Sequence, residues 1–481
     1  MKLADLLKGL EYKLCGVDVN REVKHVCSDS RKADLNSLFV CIKGSRRDGH
    51  EFARHAIEKG AVVMSEKELD GAPCVITADT RLACARINSN FYGEPQKSMR
   101  MIGVTGTNGK TSVAAFLESI YKSAGVPVGV IGTLGMRALG KTITLPASEV
   151  TDVPSAMTTP DPSCLYEALS QMKAMGVKTV IMEASSHSIA QKKTEPINFD
   201  VGIFTNLSAE HLDFHQNVSE YFKIKASLFE KCKIKVVNID DPHGKMLAEK
   251  YASAIAASRT ELDEIKITDK SVSYKYGDLE ITSPIAADFT LENTLLAVKC
   301  AEQLGIEEKY IEKGISSLHS IPGRMEHVLI KEKYGFDAYV DYAHTPYAME
   351  NVMRTVFKTY PDRKTTVLFG CGGDRDRSKR SEMGRIAAMF ADKVIVTNDN
   401  PRKEDPEKII NDILVGISDR KHVSVIPDRR VAIDVAVQLA RPGDIILLLG
   451  KGHEEYEIDS EGMHPFSERD ILRECAERRL K

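Results

Sequence analysis

Met101-Ile102-Gly103-Val104-Thr105-Gly106-Thr107-Asn108-Gly109-Lys110-Thr111-Ser112 is the stretch that decides the fold. Its mostly apolar start is a strand, its glycines make a turn, and Lys-Thr opens a helical pattern from Val113 to Ala124. Strand, loop and helix in that order create a concavity of backbone N–H groups, backed by the positive end of a helix dipole, which fits an anion. In a phosphate loop of this kind Lys110 can reach the outer phosphates of a nucleotide, and the Thr111 hydroxyl can ligate Mg²⁺. The generic pattern has a glycine five positions before Gly109, but that position here is Val104. The loop is therefore a variant, held to its assignment by the apolar strand before it and the helix after it.

Outward from the loop, residues 99–322 alternate strands and helices, which marks an α/β unit. Val128-Gly129-Val130-Ile131 reads as a strand, about Ser163 to Met175 as an amphipathic helix, and Thr179-Val180-Ile181-Met182 as a buried strand ending in Glu183. A carboxylate at a strand's C-terminal end beside a phosphate loop is a candidate for the nucleotide's Mg²⁺. His211 and His215 are four apart, a spacing that would put both rings on one helical face. Their Glu precedes the first His, unlike the zinc-protease pattern, so no zinc site is expected. Ser219 to Lys231 reads as a helix carrying Lys223 and Lys225, which helical chemistry alone would leave in solvent.

Residues 323–481 repeat strand, helix and loop with near-continuous apolar strands, the mark of a parallel sheet covered on both faces. Asp341-Tyr342-Ala343-His344, Gly370-Cys371-Gly372-Gly373-Asp374-Arg375-Asp376, Asp399-Asn400-Pro401-Arg402 and Gly450-Lys451-Gly452-His453-Glu454 each follow a strand. All four therefore belong to the carboxyl edge, where open α/β sheets bind ligands. Residues 1–98 form a first unit with little long helical periodicity and a polar turn at Ser28-Asp29-Ser30-Arg31. Three domains suit 481 residues.

A net charge of -3 carries no basic excess for nucleic acid, and no apolar run approaches a membrane span. Ten scattered cysteines without a C-x-x-C pair point to reduced thiols in a cytoplasm.

Taken together, these motifs resemble the Mur ligases over nearly the whole chain. Thr105-Gly106-Thr107-Asn108-Gly109-Lys110-Thr111 is that family's phosphate loop, including the missing first glycine. Further matches follow in order: Asp29-Ser30-Arg31, Thr158-Thr159-Pro160, Ser185-Ser186-His187, Thr205-Asn206-Leu207-Ser208, His211-Leu212-Asp213, Pro322-Gly323-Arg324-Met325-Glu326 and the four edge motifs. The resemblance implies three α/β domains: 1–98 binding a UDP substrate, 99–322 a phosphate-loop ATPase with a mostly parallel sheet, and 323–481 a Rossmann-like amino-acid domain.

It also implies a cytoplasmic monomer that makes an amide bond at the expense of ATP, with Mg²⁺, through an acyl phosphate. Within the family the chain resembles the branch that adds the third peptide residue to UDP-MurNAc-L-Ala-D-Glu. The implied catalytic residues are Lys110, Glu183, His211 and Lys225. Thr111, Glu183, His211 and Lys225, the last as a CO₂-derived carbamate (N6-carboxylysine), are implied metal ligands. ATP falls to residues 106–112, including Ser112, and to Asn293, Arg324, Asp341 and His344. The UDP substrate falls to Ser30, Thr158, Thr159, Ser185, Gln191 and Lys193, the last replacing the family's usual arginine. The amino-acid pocket is Arg375, Asp399, Asn400, Arg402, Gly450 and Glu454. Arginine in Asp-Asn-Pro-Arg favours meso-diaminopimelate, whose second carboxylate it can grip bidentately, over lysine. Lys193, Gln216, Thr290, Tyr347 and Ser378 depart from the family's usual residues. The rivals are a lysine-adding ligase, a folylpolyglutamate synthetase lacking the first domain, and a catalytically silent nucleotide-binding partner.

Overall fold

The computed structural model describes residues 1–44, 47–145, 157–210 and 214–481. Its architecture is α/β, with a five-stranded, an eight-stranded and a six-stranded sheet following one another along the chain.

The phosphate-loop strand, Arg100–Thr105, runs through the interior of the eight-stranded sheet, parallel to Thr179–Glu183 on one side and Phe199–Phe204 on the other. Apolar side chains fill both faces of these strands: Ile102 and Val104 face one core cluster, Met101 and Met182 another. That two-sided burial explains why the strands read as continuous apolar runs rather than alternating ones. The sheet is mostly parallel. Its far edge turns antiparallel where Val128–Gly132 pairs with Gly135–Ala138, and that strand with Lys141–Thr142.

In the six-stranded sheet the spatial order is Glu326–Leu329, Asp337–Asp341, Ile445–Leu449, Thr365–Phe369, Lys393–Val396 and Val423–Val425. Every pair is parallel except the first. Helices cover both faces: Met349, Met383 and Ile409 pack on one side, Ile433 and Leu472 on the other. The parallel sheet expected from the apolar runs is there, with two refinements. Glu326–Leu329 adds an antiparallel edge, and Val425 on the opposite edge strand is 45% exposed.

Two elements differ from the sequence expectation. The first unit contains a 12-residue helix, Thr80–Phe91, capped by the Asp79 carboxylate. Its buried face includes Ala83, Cys84, Asn88 and Ser89, small or polar residues that leave little amphipathic signal. The strands Asp263–Ile267, Val272–Tyr276 and Leu279–Ser283 form an antiparallel meander whose alternation and Gly277-Asp278 turn were a usable signal.

Candidate active site

The shape of the phosphate loop requires its two glycines. Gly106 has φ +143° and a Cβ there would lie 1.9 Å from Thr205 Oγ1; Gly109 has φ +85° and its Cβ would lie 2.5 Å from Asn293 Oδ1. The following strand end braces the loop: Thr205 Oγ1 donates to the Asn108 carbonyl at 2.6 Å, and Asn206 Oδ1 accepts from the Asn108 N–H at 3.0 Å. Gly109 caps the helix Lys110–Ser123 without any side-chain hydrogen bond to its first N–H groups. That leaves the helix terminus suited to an anion. Lys110 Nζ donates to the carbonyls of Gly106 and Thr107 at 2.9 and 2.7 Å, and burial lowers its pKa.

Glu183 sits where the strand end predicts, fully buried. It accepts from Thr111 Oγ1 at 3.0 Å and from the Thr133 N–H and hydroxyl, both at 3.0 Å. Two threonine hydroxyls and a carboxylate beside a phosphate loop are hard oxygen donors, the type Mg²⁺ takes alongside water and phosphate oxygens. Among the described residues no group of three His, Cys, Asp or Glu stands ready for a metal. Such an ion would therefore complete its shell from elsewhere.

Lys225 overturns the solvated-helix expectation. It is 1% exposed, its ammonium donates to the Gly106 carbonyl at 2.7 Å, and it lies 4.6 Å from the Tyr221 ring centre. Burial, with Lys110 nearby, pushes its pKa well below the ordinary lysine value. His211 lies outside the described residues. His215 is buried in an aromatic cluster with His187, Phe214 and Tyr221 and contacts Ser186 Oγ at 2.9 Å, a structural role.

The segment joining the second and third sheets reaches back over the loop. Arg324 Nη2 donates to Thr111 Oγ1 at 3.1 Å. Asp341 is buried and occupied by backbone donors, the Met325 N–H at 2.6 Å and the Ala343 N–H at 2.7 Å, so it fixes the linker as well as facing the cavity. His344 Nε2 lies 3.3 Å from Glu210 of the middle unit.

On the six-stranded sheet's carboxyl edge, Asn400 is locked on both sides. Its Oδ1 accepts from Lys451 Nζ at 3.0 Å and the Ile458 N–H at 2.9 Å, and its Nδ2 donates to Glu454 Oε2 at 2.8 Å. Burial, then the neighbouring Asp399, raises the Glu454 pKa. Gly450 has φ +112°, and a Cβ there would stand 2.7 Å from Asp399 Oδ2. Arg402 Nη1 donates to the carbonyls of Gly373 at 2.9 Å and Asn400 at 3.3 Å.

One cavity of about 1160 Å³ joins these parts: residues 107–112, Thr133, Thr158, Asn293, Arg324, Asp341 and His344 with Arg375, Asp399, Asn400, Arg402, Gly450 and Glu454. Ser30, Thr159, Ser185, Gln191 and Lys193 are not on its wall. Thr159 Oγ1 donates to the Glu183 carbonyl at 2.8 Å, and Ser185 caps the helix Ser186–Ala190. Gln191 ends that helix, and Lys193 is paired with Asp161 at 2.7 Å. Ser30 opens a short 3₁₀ turn in the first unit.

Three family models match in succession: "Mur ligase family, catalytic domain" over residues 22–83, "Mur ligase middle domain" over 104–301, and "Mur ligase, glutamate ligase domain" over 323–452. The UDP-N-acetylmuramoyl-L-alanyl-D-glutamate--2,6-diaminopimelate ligase of Caldanaerobacter subterraneus subsp. tengcongensis is 39% identical, covering 98% of each chain. The chain belongs to the Mur ligase family. The protein of the same name from Alkaliphilus metalliredigens is 38% identical over 99% of this Mur ligase and 98% of its own length. A solved structure of a protein with that name superposes with a TM-score of 0.67 at 28% identity, covering 100% of this chain and 99% of the other.

Sequence reasoning missed several residues of this Mur ligase that shape its site without marking themselves. Thr133 holds Glu183 through two hydrogen bonds. Arg429, fully buried with Glu468, donates to the carbonyls of Asn398 and Leu449, the residues just before Asp399 and Gly450. The partners of Arg429 lie 20 to 39 residues away in sequence, and that of Thr133 lies 50 away. Only the sequence Gly132-Thr133 after an apolar strand was a local hint.

Proposed function

We propose that the chain is an ATP-dependent amide ligase that joins meso-diaminopimelate to the D-Glu carboxylate of UDP-MurNAc-L-Ala-D-Glu in peptidoglycan precursor synthesis. The observation that carries this function is the continuous cavity between the phosphate loop and the Asp399–Arg402 edge. A ligation in two steps needs activation and amine capture in one enclosed space, because an acyl phosphate reaching water would hydrolyse. The full-length relatives named for this reaction support the same choice.

In the first step a D-Glu carboxylate oxygen attacks the γ-phosphorus of ATP, and the bond to the ADP oxygen breaks. In the second the amine lone pair attacks the acyl carbon, the nitrogen loses a proton, and phosphate leaves with the carboxylate oxygen. Lys110, already held over the loop, turns from the carbonyls of Gly106 and Thr107 to the γ-phosphate and stabilises its developing charge. Mg²⁺ ions, when bound, would offset the repulsion between carboxylate and triphosphate; Thr111 and Glu183, with His211 at a second ion and a carbamate on Lys225, would hold them. The buried Lys225 side chain, whose pKa burial and the nearby Lys110 lower, suits that carbamate: once its ammonium has given up a proton, the nitrogen bonds the carbon of CO₂ and releases one more. Asn293, Arg324, Asp341 and His344 close over the nucleotide. Arg375, Asp399, Asn400, Gly450 and Glu454 take the amino acid's common end, and Arg402 takes its second carboxylate.

The units 1–98, 99–322 and 323–481 divide the work as UDP-substrate, ATP and amino-acid domains. Ser30, Thr158, Thr159, Ser185, Gln191 and Lys193 line the path of the UDP substrate. The enzyme works as a cytoplasmic monomer; among the described residues no helix is long and apolar enough to cross a membrane. Substrate labelled with ¹⁸O in the D-Glu carboxylate tests the chemistry. One labelled oxygen should appear in the released phosphate, and unlabelled phosphate would rule out the acyl phosphate.

A further inference from the structure

The edge assigned above to the amino acid is built from two loops, residues 370–376 and 397–404. Asp374 and Arg402 have φ of +52° and +56°, the left-handed region that residues with a Cβ disfavour. The loops also press together: a Cβ on Gly373 would stand 1.9 Å from the Pro401 carbonyl oxygen, and one on Gly372 2.8 Å from Arg402 Nη1.

Beneath them lies Arg380, on the helix Ser378–Phe390 and completely buried. It grips Glu404 with a two-pronged ion pair, Nη1 to Oε1 and Nη2 to Oε2, both at 2.7 Å. Nη1 also donates to Asp412 Oδ2 at 2.9 Å and Nη2 to the Gly372 carbonyl at 3.2 Å. Glu404 in turn accepts the Asp374 N–H at 3.1 Å. One guanidinium thus ties the second loop, through Glu404, to two points of the first. Arg402 rests on Gly373, the residue between those two points. A lysine could supply the charge of Arg380 but not its planar fork.

We propose that Arg380 is a positioning residue for amino-acid selectivity: by clamping the two loops through Glu404 and Gly372 it sets where Arg402 presents its guanidinium. It never meets substrate, since its side chain is enclosed and off the cavity wall. The inference rests on the function proposed above, in which Arg402 receives the second carboxylate of meso-diaminopimelate. Lysine, lacking that carboxylate, gains nothing from a well-placed Arg402.

The test compares wild type, Arg380→Lys and Glu404→Gln, each checked for folding by thermal melting. Steady-state phosphate release is measured with meso-diaminopimelate and with L-lysine. In the folded variants the KM for meso-diaminopimelate should rise about 10- to 100-fold, the scale on which a displacement of ~1 Å acts. The KM for ATP should stay within about threefold, and kcat/KM should fall less for lysine than for meso-diaminopimelate, because lysine shares the common-end contacts of these loops but not the one to Arg402. Unchanged selectivity in the variants, or an equal rise in the ATP KM, overturns the proposal. If Arg380→Lys does not fold, Glu404→Gln decides by the same criteria. Wild type that fails to prefer meso-diaminopimelate overturns the proposed function itself, a different outcome from selective wild type with equally selective variants.

Discussion

Replacing Gly109 by alanine probes the geometry on which nucleotide binding depends. Its φ of +85° puts a Cβ in the left-handed region, at a backbone cost of about 1–2 kcal/mol. The same Cβ would meet Asn293 Oδ1 at 2.5 Å, so Asn293 must shift, and crowding of a packed site adds roughly 1–3 kcal/mol. The sum is about 2–5 kcal/mol. The loop can lower it by leaving its native shape, which moves part of the cost from global stability to ATP affinity. At about 1.4 kcal/mol per tenfold, a loss of ATP affinity of roughly 30-fold or more is expected by isothermal titration calorimetry. A second variant separates the contributions. Asn293→Ala in the Gly109→Ala background removes the atom in contact, so the melting temperature should partly recover while the backbone cost remains. ATP binding within about threefold of wild type in Gly109→Ala would refute the reasoning, because both costs act at the loop itself.

Three further outcomes follow from the same contacts. Lys225→Ala should abolish phosphate release, with partial rescue by added short carboxylates; full activity in the variant would remove Lys225 from the mechanism. Thr133→Val keeps the shape but deletes one bond to Glu183, so the Mg²⁺ concentration for half-maximal activity should rise about tenfold, and an unchanged Mg²⁺ titration would argue against Glu183 as a ligand held this way. The hydrogen bond from Arg380, aided by the Asp374 N–H, holds the Glu404 carboxyl at about 2, below its ordinary 4.5. A depressed folded-state pKa adds stability that is complete above the unfolded value and is lost as pH falls through the folded one. Wild type should therefore melt higher than Glu404→Gln near neutral pH, and the gap should close between pH 4.5 and about 2; a gap independent of pH would exclude this ion pair as its source.

What could be seen in the sequence was what local chemistry decides. The phosphate loop was legible because strand, positive-φ glycines and helix start are adjacent, and Glu183 because it ends an apolar run. The carboxyl-edge motifs were legible because each follows a strand of the same sheet. Lys225 was singled out only by the family resemblance, since its helix gives no sign of being buried against Gly106. The ion pairs of Arg380 and Arg429 were hidden for the same reason: Glu404 and Glu468 are 24 and 39 residues away. Tertiary structure alone brings such partners together, and it also turned the polar face of Thr80–Phe91 inward. The antiparallel meander near residue 270 differs from these, because its alternating pattern was present in the sequence.

The central claim is that this cavity makes an amide between a D-Glu carboxylate and meso-diaminopimelate. The most direct measurement is phosphate release from ATP with UDP-MurNAc-L-Ala-D-Glu and either meso-diaminopimelate or L-lysine, with the products weighed by mass spectrometry. Turnover with meso-diaminopimelate should exceed that with lysine by roughly 10⁴-fold in kcat/KM, as for a pocket built on a charged hydrogen-bonding partner. Equal or better turnover with lysine, or none with either amine, would contradict it.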